Sequence, residues 1–216
     1  MRRVIALLIS TGMVLAGSAL VTSASAATVE REAMVWHMQS GNPPGSPVGE
    51  KAEAQLVRTG SGISWSIRTE QLKPGHSYTV WTVVINNPSA CQTPNQCVPN
   101  PDVLVNFEAT QSQVVYGGGH VVGGSGKAGF GGRLATGPIP NGWFEGQGLT
   151  NPLGAEVHFV LNDHGPVIPA LLPEMIKTYR AGCTDASLPA IFPDSAKADG
   201  TPGPNTCVLT QSVMFR

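Results

Sequence analysis

The chain has 216 residues, 12% of them charged and 41% hydrophobic; its 26 Gly and 18 Pro make 44 residues, about 20%. That falls short of the roughly 25–30% Gly plus Pro that marks low-complexity disorder. Once Arg2 and Arg3 are assigned to a leader, the 13 Lys and Arg drop to 11 against 14 Asp and Glu, a net charge of −3, which argues against a broad nucleic-acid surface.

Met1-Arg2-Arg3 forms a basic start, Val4 to Leu15 an apolar stretch, and Ala24-Ser25-Ala26 a small-residue cleavage site. This three-part pattern predicts a signal peptide over 1–26. A single domain over 27–216 then follows, 190 residues (216 less 26), within the usual domain range. A membrane span needs about 20 apolar residues, and none follows Ala27. The expectation is a secreted protein, extracellular or periplasmic, with no transmembrane anchor after cleavage.

Strand signals come next in the chain. Met34-Val35-Trp36-His37-Met38 carries thioethers and an imidazole, which suit copper(I). Alternation places Met34, Trp36 and Met38 on one side as packing residues and His37 on the other. Ile63, Trp65 and Ile67 alternate with Ser64, Ser66 and Arg68, the pattern of a half-buried strand. After the turn Lys73-Pro74-Gly75, in which His76 is expected to face water, Tyr78 to Ile85 is apolar or β-branched throughout. That suits a strand buried on both faces. Val103, Val105 and Phe107 alternate with Leu104, Asn106 and Glu108 and predict another strand.

Nine glycines between Gly117 and Gly132 read as a flexible loop or a strand edge with bulges. Gly124-Ser125-Gly126-Lys127-Ala128-Gly129 matches a bare dinucleotide-turn pattern, but no long helix can open at Phe130-Gly131-Gly132. No G-x-S-x-G elbow offers a nucleophilic serine. Val157, Phe159 and Leu161 alternate with Glu156, His158 and Val160, and Asp163-His164-Gly165 reads as a turn. Pro173 to Arg180 is the one helical signal. A last strand over Thr206 to Phe215 sets Leu209, Val213 and Phe215 on one side. The whole predicts an all-β fold, an antiparallel β-sandwich or barrel, with one short capping helix and a long disulfide-pinned C-terminal loop.

Export favours disulfides over thiols or zinc for Cys91, Cys97, Cys183 and Cys207. Four cysteines allow three pairings, and the local one, Cys91 with Cys97 and Cys183 with Cys207, is the economical choice.

Two surfaces offer function. His120, Trp143, Phe144 and the glycine-rich segment could form a loop face that binds an extracellular or cell-envelope component or a small ligand; alternatively the two aromatics fold back over the core. Glu156, His158, Asp163 and His164 are a second candidate, because two imidazoles and a carboxylate suit zinc or copper. Binding is favoured over catalysis, a metal-dependent enzyme is the alternative, and a structural envelope protein is a third class.

The chain resembles a group of exported bacterial proteins without an assigned activity. The resemblance rests on Leu72 to Trp81 (LKPGHSYTVW), Asn86-Asn87-Pro88 with Cys91, Gly148 to Pro152, Glu156-Val157-His158, Asp163 to Pro166 and Tyr179 to Asp185. It implies one exported domain. Gly148-Leu149 and His158 also resemble the Gly-Leu turn and histidine-bearing strand of chordin-type (CHRD) domains, extracellular β-structures, although Glu156 stands where such strands carry a second histidine.

Overall fold

The computed structural model describes residues 26–216, so the leader, apart from its last residue, lies outside the described residues. The strands in chain order are β1 (Thr28–Ala33), β2 (Val35–Trp36), β3 (Glu53–Thr59), β4 (Gly62–Thr69), β5 (His76–Ile85), β6 (Ser112–Val121), β7 (Ala128–Ala135), β8 (Gly137–Pro138), β9 (Gly148–Leu149), β10 (Glu156–Pro166) and β11 (Val208–Phe215). All named strand pairings are antiparallel. They form a four-stranded sheet ordered β1-β3-β4-β7, a five-stranded sheet ordered β2-β11-β10-β5-β6, and the small ribbon β8-β9.

The two larger sheets make the predicted sandwich. Alternation decides which side chains meet: Ala54 and Leu56, then Ile63, Trp65 and Ile67, pack against Tyr78, Val80, Val84, Val157, Phe159, Leu161, Val213 and Phe215. Trp65 lies 5.3 Å from Phe159 and Phe159 6.0 Å from Phe215, centroid to centroid. As its composition predicts, β5 is buried on both faces, and its other face carries Trp81, Val83 and Ile85. These residues start a second apolar layer, roofed by Cys91, Cys97, Val103, Trp143, Phe144, Tyr179 and Ala196 from the connections. Both disulfides, Cys91–Cys97 and Cys183–Cys207, follow the local pairing; the first lies in that roof and the second beside His164.

Asn86 organises one end of the molecule. Its Nδ2 donates to the carbonyls of Gln111 (2.6 Å) and Gly148 (2.8 Å), while its Oδ1 accepts from the N–H groups of Thr150 (2.8 Å) and Asn151 (3.0 Å). Arg58, buried at the end of β3, donates to the carbonyl of Ala155 (2.6 Å) and pairs with Glu30 (2.5 Å).

Several local expectations are corrected. Val103 to Glu108 is not a strand: the carboxylate of Asp102 accepts the N–H groups of Gln92 and Val98 at 2.9 Å, and Val105 and Asn106 donate to the Pro101 carbonyl. The chain is thereby wound into turns that lead into α1 (Phe107–Thr110), with Val105 left exposed. The Pro173 segment supplies only one helical turn, α2 (Leu172–Met175), and a third turn, α3 (Asp194–Lys197), lies in the C-terminal loop. Asp163-His164-Gly165 continues β10, with a register irregularity between Asp163 and Pro166, instead of turning. Thr210 is bulged out of register opposite Leu161 and Asn162, so Leu209 lies under the roof while Val213 and Phe215 enter the sandwich core. Met38 does not pack with Met34 and Trp36, because the chain leaves β2 at Trp36; it is 71% exposed.

Candidate functional site

The alternating strand β10 carries the chemistry on both faces. Glu156, His158, Asn162 and His164 face the roof, and Asp163 faces the other way. Strand periodicity separates His158 from His164 by six residues, roughly 20 Å at about 3.3 Å per residue. A single zinc ion with ligand bonds of about 2.0–2.1 Å cannot bridge that distance. The four sequence-predicted metal ligands therefore fall into three separate groups.

In the first group, His158 Nε2 and Glu156 Oε1 are 2.7 Å apart and both side chains are buried. The Cys97 N–H reaches the same carboxylate at 3.3 Å and Arg216 lies 3.5 Å away. Burial opposes ionisation of Glu156, but the interaction with His158, the Cys97 hydrogen bond and the Arg216 charge outweigh it and hold the carboxyl below its ordinary value. In the second group, His164 Nδ1 lies 2.9 Å from the Ala181 carbonyl and its Nε2 2.8 Å from the Thr79 hydroxyl. Burial pushes its pKa down, so the ring is neutral, donates from Nδ1 and accepts from Thr79. In the third, Asp163 accepts from His76 Nδ1 (2.8 Å), Tyr78 OH (3.1 Å) and the Gly165 N–H (2.8 Å). His76 is thus tied to a buried carboxylate, not turned to water.

Among the described residues, His164, Cys183 and Cys207 are the cluster of metal-ligand types with mutually close donor atoms. Both sulfurs are in the disulfide, so no thiolate is available there.

The aromatic candidates separate as well. His120 sits on the sheet edge against Phe130, at 6.2 Å. Trp143 and Phe144 fold back over the molecule, 9% and 5% exposed, and do not form an open loop face. Gln113 pulls this loop in: its Nε2 donates to the Phe144 carbonyl (2.7 Å) and its Oε1 accepts the Phe144 N–H (3.1 Å). Phe144 stacks on Phe107 at 4.3 Å, and Trp143 lies 5.4 Å from Trp81, 5.0 Å from Tyr179 and 5.1 Å from Phe192.

Beside these rings a recess of about 70 Å³ opens between β5, β10 and the roof. Its walls include Trp81, Val83, Val114, Trp143, His158, Val160, Tyr179 and Phe192, with His37 also in the lining. Few of the lining residues carry polar side-chain atoms. Trp143 Nε1 is buried without a hydrogen-bond partner, and His158, held through Nε2 by Glu156, is free at its other ring nitrogen. Burial lowers the pKa of His37, which keeps it neutral as well. An apolar concavity with a few fixed polar groups is the usual form of a small-ligand site.

The sequence reading did not place Trp81, Tyr179 and Phe192 together. A signal for the recess was present: a strand with large apolar residues in both phases, Tyr78 with Val80 and Trp81 with Val83, requires cover on both faces.

Comparison with family models, curated proteins and solved structures finds no match to this chain. No helix among the described residues is long and apolar enough to cross a membrane.

Proposed function

We propose that this chain is an exported binding protein whose recess seats a small ring-bearing group with a hydroxyl or carbonyl, from a free ligand or an extracellular component. The observation that carries this reading is that Trp143, a lining residue of this largely apolar recess, has its indole N–H buried without an acceptor. An unmade buried hydrogen bond costs about 1–3 kcal/mol, and a ligand oxygen that reaches this N–H through a small shift of the ring would recover it. The neighbouring His158 nitrogen offers a second polar contact, and its orientation is fixed by Glu156. Trp81, Trp143, Tyr179 and Phe192, joined in one cluster of ring contacts, supply a rigid apolar surface.

The two disulfides and the leader pattern support export. The test is a fluorescence titration of the chain from Ala27 with phenol and with toluene, which differ in the hydroxyl. Phenol is expected to bind more tightly than toluene, and Trp143→Phe, which keeps a ring and removes the N–H, to erase most of that difference. Equal binding of the two probes, or no binding of either, would sink the reading.

A further inference from the structure

The roof covers only part of the sheet beneath it. Strand register lays the row Trp81, Val160, Ser212, Val35 across β5, β10, β11 and β2, and a neighbouring row sets His158 opposite Met214. Side chains opposite one another in a sheet share a face, so Val160, Val35 and Met214 point to the same side as Trp81 and His158. Trp143 and Tyr179 close over Trp81, at 5.4 and 5.3 Å. The apolar cluster they form does not extend to Val160, Val35 or Met214. Val160, which also lines the recess, and Val35 are half-buried, and Met214 is 39% exposed.

An apolar strip thus runs out of the recess along β10, β11 and β2. On the roof side of the recess the exposed Val98 and Val105 adjoin the lining residues Pro99 and Leu104 in the chain. The outer face of the four-stranded sheet is different: Gln55, Ser64, Ser66 and Arg68 alternate with its core residues and leave it polar. Polar residues are the ordinary covering of an outer sheet face, whereas exposed apolar side chains gathered beside a recess mark an interaction surface.

The chain has no ring of its own to offer such a surface on a second copy. Of its 6 Phe, 4 Trp and 3 Tyr, Tyr116 is the exposed one among the described residues, and its hydroxyl is already donated to the Ile176 carbonyl at 2.8 Å. Residues 1–26 contain no aromatic residue. A lipid headgroup layer is matched by clustered Lys and Arg, but Arg216, two residues beyond Met214, lies 3.5 Å from the Glu156 carboxylate and is paired there.

From this we infer that the recess and the strip together dock a partner protein that presents a tyrosine between apolar residues. The phenol ring enters the recess, its hydroxyl meets the free ring nitrogen of His158, and the flanking side chains lie on Val160, Met214 and Val35. This rests on the reading of the recess as a seat for a ring with a hydroxyl, and adds the macromolecule that carries the ring. An aromatic anchor in a central pocket, ringed by contacts that exclude water, is the usual arrangement of a protein interface.

The test is calorimetric titration of the chain from Ala27 with p-cresol, which is the tyrosine ring alone, and with three capped peptides. These are acetyl-Leu-Thr-Tyr-Thr-Leu-amide, the same peptide with Ser for both Leu, and the same peptide with Phe for Tyr. The Leu-flanked tyrosine peptide is expected to bind about tenfold more tightly than the Ser-flanked one, from the added apolar burial, and more tightly than the Phe peptide. In the double variant Val35→Thr/Met214→Ser, both outside the recess lining, the Leu-over-Ser gain should fall to about twofold or less while p-cresol binds as in wild type. That unchanged p-cresol binding also shows that the variant is folded.

Binding of p-cresol with a Leu-over-Ser gain below about threefold, or a gain that persists in the double variant, would overturn the docking surface and leave the small-ligand reading standing. No binding of p-cresol or of any peptide, or equal binding of the Tyr and Phe peptides, would overturn both. Sedimentation of the chain alone and with phosphatidylcholine vesicles decides between other occupants: self-association or vesicle binding that the double variant abolishes would overturn the tyrosine segment and assign the strip to a second copy or to a lipid surface.

Discussion

The ring of His164 and the hydroxyl of Thr79 stand 2.8 Å apart between adjacent strands, at the middle of a hydrogen-bonded chain that crosses two layers. Trp81 Nε1 donates to Thr79 Oγ1 at 2.9 Å, Thr79 donates to His164 Nε2, and His164 Nδ1 donates to the Ala181 carbonyl at 2.9 Å. Each donor finds one acceptor because burial keeps the imidazole neutral. The chain fastens the roof segment carrying Cys183 to the sheet beneath it, which makes His164 a tie and not a free ligand.

Replacing His164 by Ala removes two partners at once and opens a void at a site with 0% exposure. The expected loss is about 2–4 kcal/mol, combining the stranded Ala181 carbonyl and Thr79 hydroxyl with the cavity. Urea unfolding of wild type and variant measures it. A change below about 0.5 kcal/mol, the ordinary surface effect, would show that the chain of bonds is not supporting the roof.

Acid should weaken the fold in two stages. The folded pKa of His164 lies below its ordinary value of 6.5. The unfolded chain therefore takes up a proton that the native state refuses, and stability falls as pH drops through about 6.5. His37, also lowered by burial, acts in the same direction. Glu156 is held below its ordinary value of 4.5, so its contribution is complete above that pH and is lost as pH falls through its folded value. Denaturant midpoints between pH 8 and 3.5 should show both stages. In His164→Gln the decline between pH 7 and 5 should be shallower.

What the sequence made legible follows from how local each feature is. Ile63, Trp65 and Ile67 alternate in an uninterrupted strand, so period two gives their burial directly. Leu209 breaks the same rule because one bulged residue, Thr210, reverses the phase, and nothing in the local pattern marks the bulge. Val103 to Glu108 alternates too, yet the carboxylate of Asp102 and the Pro101 carbonyl capture local N–H groups and wind the segment into turns. The chemical types at Glu156, His158 and His164 were visible, whereas their separation required β10 to run on through Gly165. The recess depends on Trp143, Tyr179 and Phe192 arriving from distant segments, and only the doubly apolar β5 hinted at it.

The two disulfides should differ in weight. The bond Cys183–Cys207 spans 24 residues and closes a loop with little regular structure, whereas Cys91–Cys97 spans six. Chain-entropy reasoning gives roughly 3.5 kcal/mol for the longer loop and roughly 2.4 kcal/mol for the shorter. The paired serine variants, unfolded by urea, should rank in that order. Loss of the longer bridge should also loosen Tyr179 and Phe192 and reduce phenol binding, which ties this measurement to the recess.

Asn86 offers the sharpest test of how one polar side chain organises a loop. It is 5% exposed, and both its donors and its acceptor oxygen are in use, towards Gln111 and Gly148 on one side and Thr150 and Asn151 on the other. Asn86→Ala leaves several main-chain groups unpaired and should cost about 2–4 kcal/mol. Asn86→Asp keeps the oxygen that accepts from Thr150 and Asn151 but points a second oxygen at two carbonyls. Its ionised form is disfavoured in the native state, so the introduced carboxyl should titrate above its unfolded value of about 3.9. A raised folded pKa means that its stability contribution is present at low pH and lost as pH rises. Relative to wild type, Asn86→Asp should therefore grow less stable between about pH 4 and 7, while the deficit of Asn86→Ala should stay nearly constant over that range. Parallel deficits for the two variants would mean that the Gln111 and Gly148 carbonyls do not face this side chain in solution.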